Sequence, residues 1–247
     1  MKSIDSSQLG CGVDVWFLWL ERSTGASGAF RPLLSSEEVR RAERFATDGL
    51  RAAYESAHGA LRALLANYLK CGPRELDFTF GRTGKPQLPG DSGLRFNMSH
   101  SGALAAYAFT FDCEIGIDIE EVRDAPVLGT IAEHYFCPEE TSQLLALTGE
   151  AERREAFYRC WTRKESYIKA VGDGLSIPLD QFQVSLSSDS PARLVHIGRD
   201  AKLASNWTLD HLSPAPGYVG SIAYRGSARH LSLHPPRPAQ DVFALIP

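Results

Sequence analysis

Three carboxylates and one lysine carry the most chemistry in this chain. In Glu114-Ile115-Gly116-Ile117-Asp118-Ile119-Glu120, apolar and non-apolar residues alternate. Successive side chains of a strand point to opposite faces, so Ile115, Ile117 and Ile119 pack inward while Gly116, Asp118 and Glu120 share the other face. Two like charges so placed repel unless water, a basic group or a cation lies between them. Magnesium favours this arrangement, taking one or two carboxylates and completing its octahedron with waters and phosphate oxygens. Gly116 leaves room beside the acids for a bulky ligand. A solvated strand face accounts for the same residues. The second segment is Trp161-Thr162-Arg163-Lys164-Glu165-Ser166-Tyr167-Ile168-Lys169. Glu165 and Lys169 stand at i and i+4 on one helix face. They border a mainly apolar stripe of Phe157, Trp161, Lys164 and Ile168, although a surface ion pair of small energetic weight has the same spacing.

Two further segments carry phosphate-seeking groups. Arg82, Lys85 and Pro86 lie in the glycine-bearing loop Gly81–Pro86, and Asn97-Met98-Ser99-His100-Ser101-Gly102 ends a strand in a polar turn. Arginine and lysine suit phosphate oxygens, and Ser99 and His100 add donors. Arg40, Arg41, Arg44 and Arg51 sit around the first helices, where a solvated basic face is the simpler reading.

The elements that must position these groups show in the hydrophobic pattern. Strands are expected at Val13–Leu20, Leu76–Phe80, Arg95–His100, Leu104–Phe109, Glu114–Glu120, Phe182–Leu186, Trp207–Leu209 and Tyr218–Tyr224. Ser35 and Glu38 have capping-box spacing ahead of a charged helix ending near Phe45. Apolar residues from Arg51 to Lys70 recur at helical spacing up to Gly72-Pro73, and a second strong helix runs from about Glu152 to Val171. Helices and strands in each half predict an α+β fold. No short repeat is read from the sequence, and the segment after Gly226, with Pro235, Pro236 and Pro238, is expected to be irregular and peripheral.

Bulk properties narrow the class. Of 247 residues, 43% are hydrophobic and 23% charged, enough apolar material for a buried core. A net charge of −4 lacks the basic excess of a nucleic-acid protein. Five cysteines without a CxxC pair indicate reduced thiols. The N-terminus shows no signal-peptide stretch, and no apolar run reaches the ~18 residues of a membrane span. A cytoplasmic protein that binds neither nucleic acid nor membrane is expected.

Taken in order, these segments resemble the motifs of the surfactin-type phosphopantetheinyl transferases. Gly81-Arg82-Thr83-Gly84-Lys85-Pro86 is similar to that family's first loop, and Phe96-Asn97-Met98-Ser99-His100-Ser101-Gly102 to its second motif. Gly116-Ile117-Asp118-Ile119-Glu120 is similar to its metal strand. Trp161 to Ala170, with Gly172 and Gly174-Leu175, resembles its signature helix. The resemblance implies a pseudo-two-fold fold of two similar subdomains, 1–112 on the nucleotide side and 113–225 bearing the metal and catalytic helix, with 226–247 as a tail. It also implies a monomer with coenzyme A in the cleft. By position, Arg41, Arg82, Lys85, Pro86, Ser99, His100, Asp118 and Lys169 would hold coenzyme A. Asp118, Glu120 and Glu165 would bind magnesium, with manganese as an alternative. Glu38 stands where some relatives have a lysine near the nucleotide phosphate, so that contact is not carried over. Arg51 is an additional phosphate contact or a solvated helix residue.

The reaction so implied is attack of a serine hydroxyl on the β-phosphate of coenzyme A, releasing adenosine 3′,5′-bisphosphate. Glu165 is the expected base, acting directly or through a metal-bound water, and Lys169 the group that stabilises or protonates the leaving phosphate. The implied partners are apo acyl, peptidyl or aryl carrier proteins of nonribosomal peptide, polyketide or fatty-acid synthases, docking near Val127–Leu147. Two rivals remain open at this point. Acid–acid–lysine chemistry also suits a metal-dependent nuclease, though duplex binding calls for a basic surface. A non-catalytic module binding coenzyme or carrier would not require intact Asp118, Glu165 and Lys169.

Overall fold

Strand β1 (Val13–Trp19) is buried on both faces, and that follows from what lies on each side of it. Trp16 and Leu18 join one hydrophobic core with the first long helix, whereas Val13, Val15 and Phe17 join another with Ile115, Ile117 and Ile119. The computed structural model describes residues 12–21, 28–90, 92–125, 127–172 and 177–247. Gly174 and Leu175 of the signature segment lie outside them, as does Cys11.

The helices follow their sequence signals closely. Ser35 caps α1 (Ser36–Ala42) in a complete capping box, its Oγ accepting from the Glu38 backbone N–H at 3.2 Å while the Glu38 carboxylate accepts from that of Ser35 at 2.8 Å. Helix α2 (Asp48–Leu69) is capped by Thr47 and ends at Lys70, whose φ is +54°. The Leu76–Phe80 expectation shrinks to β2 (Thr79–Phe80), paired with β3 (Pro86–Gln87) across the glycine-bearing loop. Strands β4 (Leu94–Ser101) and β5 (Leu104–Phe111) form an antiparallel hairpin, and β5 pairs with β1.

The second lobe repeats this plan. Strand β6 (Ile115–Glu121) is followed by short helices α3 (Leu128–Tyr135) and α4 (Pro138–Ala146), then by α5 (Glu150–Val171). A small pair, β7 (Phe182–Val184) and β8 (Leu194–Ile197), and the short α6 (Ala201–Ala204) precede β9 (Trp207–Leu212) and β10 (Tyr218–Arg225). The orders β1-β5-β4 and β6-β10-β9 are one topology used twice: strand, long helix, then a hairpin whose second strand lies centrally. The residues repeat too, Gly12-Val13-Asp14-Val15-Trp16 against Gly116-Ile117-Asp118-Ile119-Glu120. In each lobe the aspartate accepts from the end of the long helix, Asp14 from the Tyr68 hydroxyl at 2.7 Å and Asp118 from the Lys169 ammonium at 2.6 Å. The pseudo-two-fold arrangement that the resemblance implies is thus present without a short sequence repeat, since the two copies share only a glycine and an aspartate within an apolar frame.

The tail is neither irregular nor peripheral. Strand β11 (Leu231–Pro238) runs parallel to β1 and extends the first sheet to the order β11-β1-β5-β4. Its prolines are tolerated because an edge strand leaves one row of backbone groups unpaired. His234 stacks on Trp16 with ring centroids 3.7 Å apart, and Ala239, Val242 and Leu245 of the following 3-10 turn are buried in the core with α2. The first lobe is thus built from both chain ends. Among the described residues, no helix is long and apolar enough to cross a membrane.

Candidate active site

Strand β6 presents its two faces as alternation requires. Ile115, Ile117 and Ile119 are buried between the sheets, while Gly116 and Asp118 face α5. The room expected at Gly116 is filled by protein: a Cβ there would lie 2.1 Å from the Ser166 carbonyl oxygen and 2.3 Å from the Ala170 nitrogen. Glycine at this position lets strand and helix backbones meet, which brings Lys169 onto Asp118.

The seam between lobes is closed by alternate side chains of β4. The Ile117 N–H donates to Asn97 Oδ1 at 2.8 Å, Ser99 Oγ donates to Asp118 Oδ1 at 2.8 Å, and Ser101 Oγ donates to Glu120 Oε2 at 2.6 Å. Lys169 Nζ completes the group, 2.6 Å from Asp118 Oδ1 and 3.0 Å from Ser99 Oγ. Asp118 is 4% exposed and its Oδ2 has no hydrogen-bond partner. A buried carboxylate oxygen without a donor is costly, and such an atom is chemically suited to ligate a cation.

The electrostatics agree. Burial pushes the Glu165 carboxyl above its ordinary range; Asp118 and Glu120 push it further and Lys169 opposes them. Glu120 is raised by burial and by Asp118, against its Ser101 hydrogen bond and the charges of Lys169 and Arg123. Three acids thus share one lysine, an excess of negative charge that a dication would relieve. Among the described residues, no group of three or more His, Cys, Asp or Glu side chains is placed to hold a metal ion, so Asp118, Glu120 and Glu165 do not converge as a three-carboxylate set. An open magnesium site completed by waters and phosphates does not need one.

Beside this cluster opens a cavity of about 670 Å³. Arg41, Pro86, Ser99, His100 and Lys169 line it, as expected of coenzyme contacts. Arg82 is exposed and Lys85 turns away, neither being among the lining residues. The Lys85 ammonium donates to the carbonyls of Ile115 at 3.0 Å and Ala170 at 3.2 Å. Arg51 pairs with Asp48 on its own helix. Glu38 also lines the cavity, but its carboxylate is held by the buried Arg62, with Nε–Oε2 2.6 Å.

Two groups on the cavity wall escaped the sequence reading. Tyr54 and His58 stack with centroids 4.0 Å apart, and the Arg41 guanidinium lies 5.9 Å over the Tyr54 ring. Tyr54 was absorbed into the apolar stripe of α2, and a histidine one turn later was the available signal. The buried partner of Lys164 was also missed. Lys164 belongs to a closed network in which its ammonium donates to Glu140 at 2.7 Å and to the carbonyls of Leu179 and Phe182 at 2.8 and 2.7 Å. Glu140 in turn accepts from the Val184 and Cys137 backbone N–H groups.

A two-lobed α+β fold with an acid–lysine cluster on the seam, whose Lys169 and Ser99 reach a cavity of about 670 Å³, defines a class of protein suited to phosphoryl chemistry. The family model described as the 4′-phosphopantetheinyl transferase superfamily matches residues 114–223. The chain is 34% identical to the 4′-phosphopantetheinyl transferase HetI of Nostoc, over 87% of this chain and 88% of that one. It is 34% identical to the 4′-phosphopantetheinyl transferase psf-1 of Bacillus pumilus, over 82% and 84%. It is 38% identical to the 4′-phosphopantetheinyl transferase Sfp of Bacillus subtilis, over 55% and 61%. The chain belongs to the 4′-phosphopantetheinyl transferase family.

Proposed function

We propose that this protein transfers the 4′-phosphopantetheine group of coenzyme A to a serine of an acyl, peptidyl or aryl carrier protein. The observation that carries this reading is Lys169, which lines the cavity and at the same time contacts Asp118. A diphosphate in the cavity would therefore lie against the acidic cluster. Arg41, Ser99 and His100 are suited to bind its nucleotide and phosphates, the arginine by charge and the others as donors.

Asp118, Glu120 and Glu165 would hold a magnesium ion, or manganese in its place, with the unpartnered Asp118 Oδ2 as the available ligand atom. When bound, it neutralises charge on the diphosphate oxygens. Glu165 takes the proton of the serine hydroxyl, a role favoured by its raised pKa. The serine oxygen bonds to the β-phosphorus while the bond from that phosphorus to the bridging oxygen breaks. Adenosine 3′,5′-bisphosphate leaves with the bond's electron pair, and Lys169 stabilises its departing phosphate.

The carrier would dock on α3 and α4, where Val127, Tyr135 and Leu145 are exposed apolar residues. One chain supplies both lobes, which suits a monomer, and the free thiols of Cys71, Cys113, Cys137 and Cys160 suit a reducing cytoplasm. Clients in nonribosomal peptide, polyketide or fatty-acid synthesis fit this chemistry, whereas the nuclease and binding-module readings gain no support from the relatives. The test is intact-mass spectrometry of apo carriers incubated with enzyme, coenzyme A and magnesium. A gain of ~340 Da, the covalent prosthetic group, is expected on a carrier with its serine and not on its alanine variant. Unchanged mass across a panel of apo carriers would remove the proposal.

A further inference from the structure

We infer that Thr83 and Lys85 are positioning residues that clasp the end of the catalytic helix to the nucleotide loop. Thr83 Oγ1 donates to the Gly172 carbonyl at 2.6 Å, just beyond α5. Lys85 donates to Ala170, in the last turn of α5, and to Ile115, the first residue of β6. Its side chain is 10% exposed, with Glu114 Oε2 3.5 Å from the ammonium. The last carbonyls of a helix lack intrahelical donors and carry partial negative charge, so a lysine and a hydroxyl from another segment satisfy and hold them.

The clasp joins the three parts that have to be in register. Gly84 and Pro86, on either side of Lys85, line the cavity. Ala170 follows Lys169, and Ile115 starts the strand that carries Asp118. A nucleotide seated on Gly84 and Pro86 would therefore bear on the segment that fixes the helix end. The Lys169–Asp118 contact of 2.6 Å depends on that fixing. With its ammonium engaged on two carbonyls, Lys85 acts through the backbone rather than on phosphate.

The kinetic half of this inference rests on the transferase reading; the structural half does not. The experiment uses the full chain with Lys85→Met, Thr83→Val, the double variant and the conservative Lys85→Arg. Backbone amide exchange is followed at 168–172, and transfer and adenosine 3′,5′-bisphosphate binding are measured in parallel. Exchange in the last turn of α5 should accelerate in Lys85→Met and, more mildly, in Thr83→Val. We expect kcat to fall about tenfold while KM for coenzyme A and bisphosphate affinity change less than about threefold, because small displacements of a catalytic group are costly in rate. Losses in the double variant should be less than additive, and Lys85→Arg should recover part of both signals. Unaltered exchange in both single variants would overturn the clasp. So would a tenfold or greater loss of bisphosphate affinity with kcat retained, which would put the ammonium on phosphate. A wild-type chain that transfers nothing would sink the transferase reading alone, and amide exchange would still decide the clasp.

Discussion

Glu165 and Asp118 belong to one acid cluster around Lys169, yet their surroundings differ. Asp118 is held on one oxygen by Lys169 and Ser99 and left open on the other, whereas Glu165 carries a raised pKa. Asp118→Asn and Glu165→Gln should each lower transfer by about 10²-fold or more, the range for loss of a charged catalytic group, as read by steady-state assays at saturating magnesium. Glu165 must be deprotonated to accept the serine proton, so activity should be lost as pH falls through its elevated pKa. The acid limb of the pH–rate profile should therefore move to higher pH as magnesium is lowered, since the cation opposes the burial and carboxylate repulsion that raise Glu165, and it should vanish in Glu165→Gln. At this scale the sequence was informative about types and spacing. Alternation put Asp118 and Glu120 on one strand face, and helical period put Glu165 and Lys169 on one helix face; that Lys169 meets Asp118 is a tertiary fact. The sequence could not show where long side chains end, which is why Lys85 was expected on a phosphate and Glu140 was not seen as the partner of Lys164. Those two contacts join residues far apart in the chain, and no local pattern encodes them.

Among the elements, the junctions carry the stability. Burial opposes the charge on Glu38, but His58, the Ser35 backbone N–H and Arg62 outweigh it and hold the carboxyl down at about 2. A carboxylate depressed in the fold stabilises above its unfolded pKa and loses that contribution as pH falls. Thermal melts should show the wild type losing stability between about pH 5 and pH 2, with a shallower decline in Glu38→Gln. The Glu140–Lys164 pair is fully buried, so Glu140→Ala should cost ~3–5 kcal/mol in denaturant unfolding by stranding the ammonium. Gly116→Ala should destabilise as well, because its Cβ would meet α5 backbone rather than a flexible side chain. Most strands and both long helices were legible from period and caps. The exceptions were β3, β8, α3, α4 and α6, and above all β11, whose prolines argue against a strand. Its position at a sheet edge, a tertiary fact, makes them compatible.

Seen whole, the molecule is a fused pair of like lobes with unlike equipment. Where the second lobe has Glu120 and Lys169, the first has Trp16 and Tyr68, and β11 lays His234 over Trp16. The first lobe keeps the aspartate but fills its surroundings with aromatic rings, contributing a cavity wall instead of a second acidic cluster. Asymmetry of this kind accounts for one reactive site on a two-fold scaffold. It also accounts for the lack of a short sequence repeat, since the lobes differ at Trp16 against Glu120 and Tyr68 against Lys169. In the proposed site, acids from two distant stretches of chain would hold one dication against a diphosphate. Anomalous scattering from crystals grown with coenzyme A and manganese decides this. A manganese peak is expected beside the carboxylates of Asp118 and Glu165 and the coenzyme's diphosphate. A peak elsewhere, or an occupied nucleotide cavity with Asp118 bound only by Lys169 and Ser99, would contradict it.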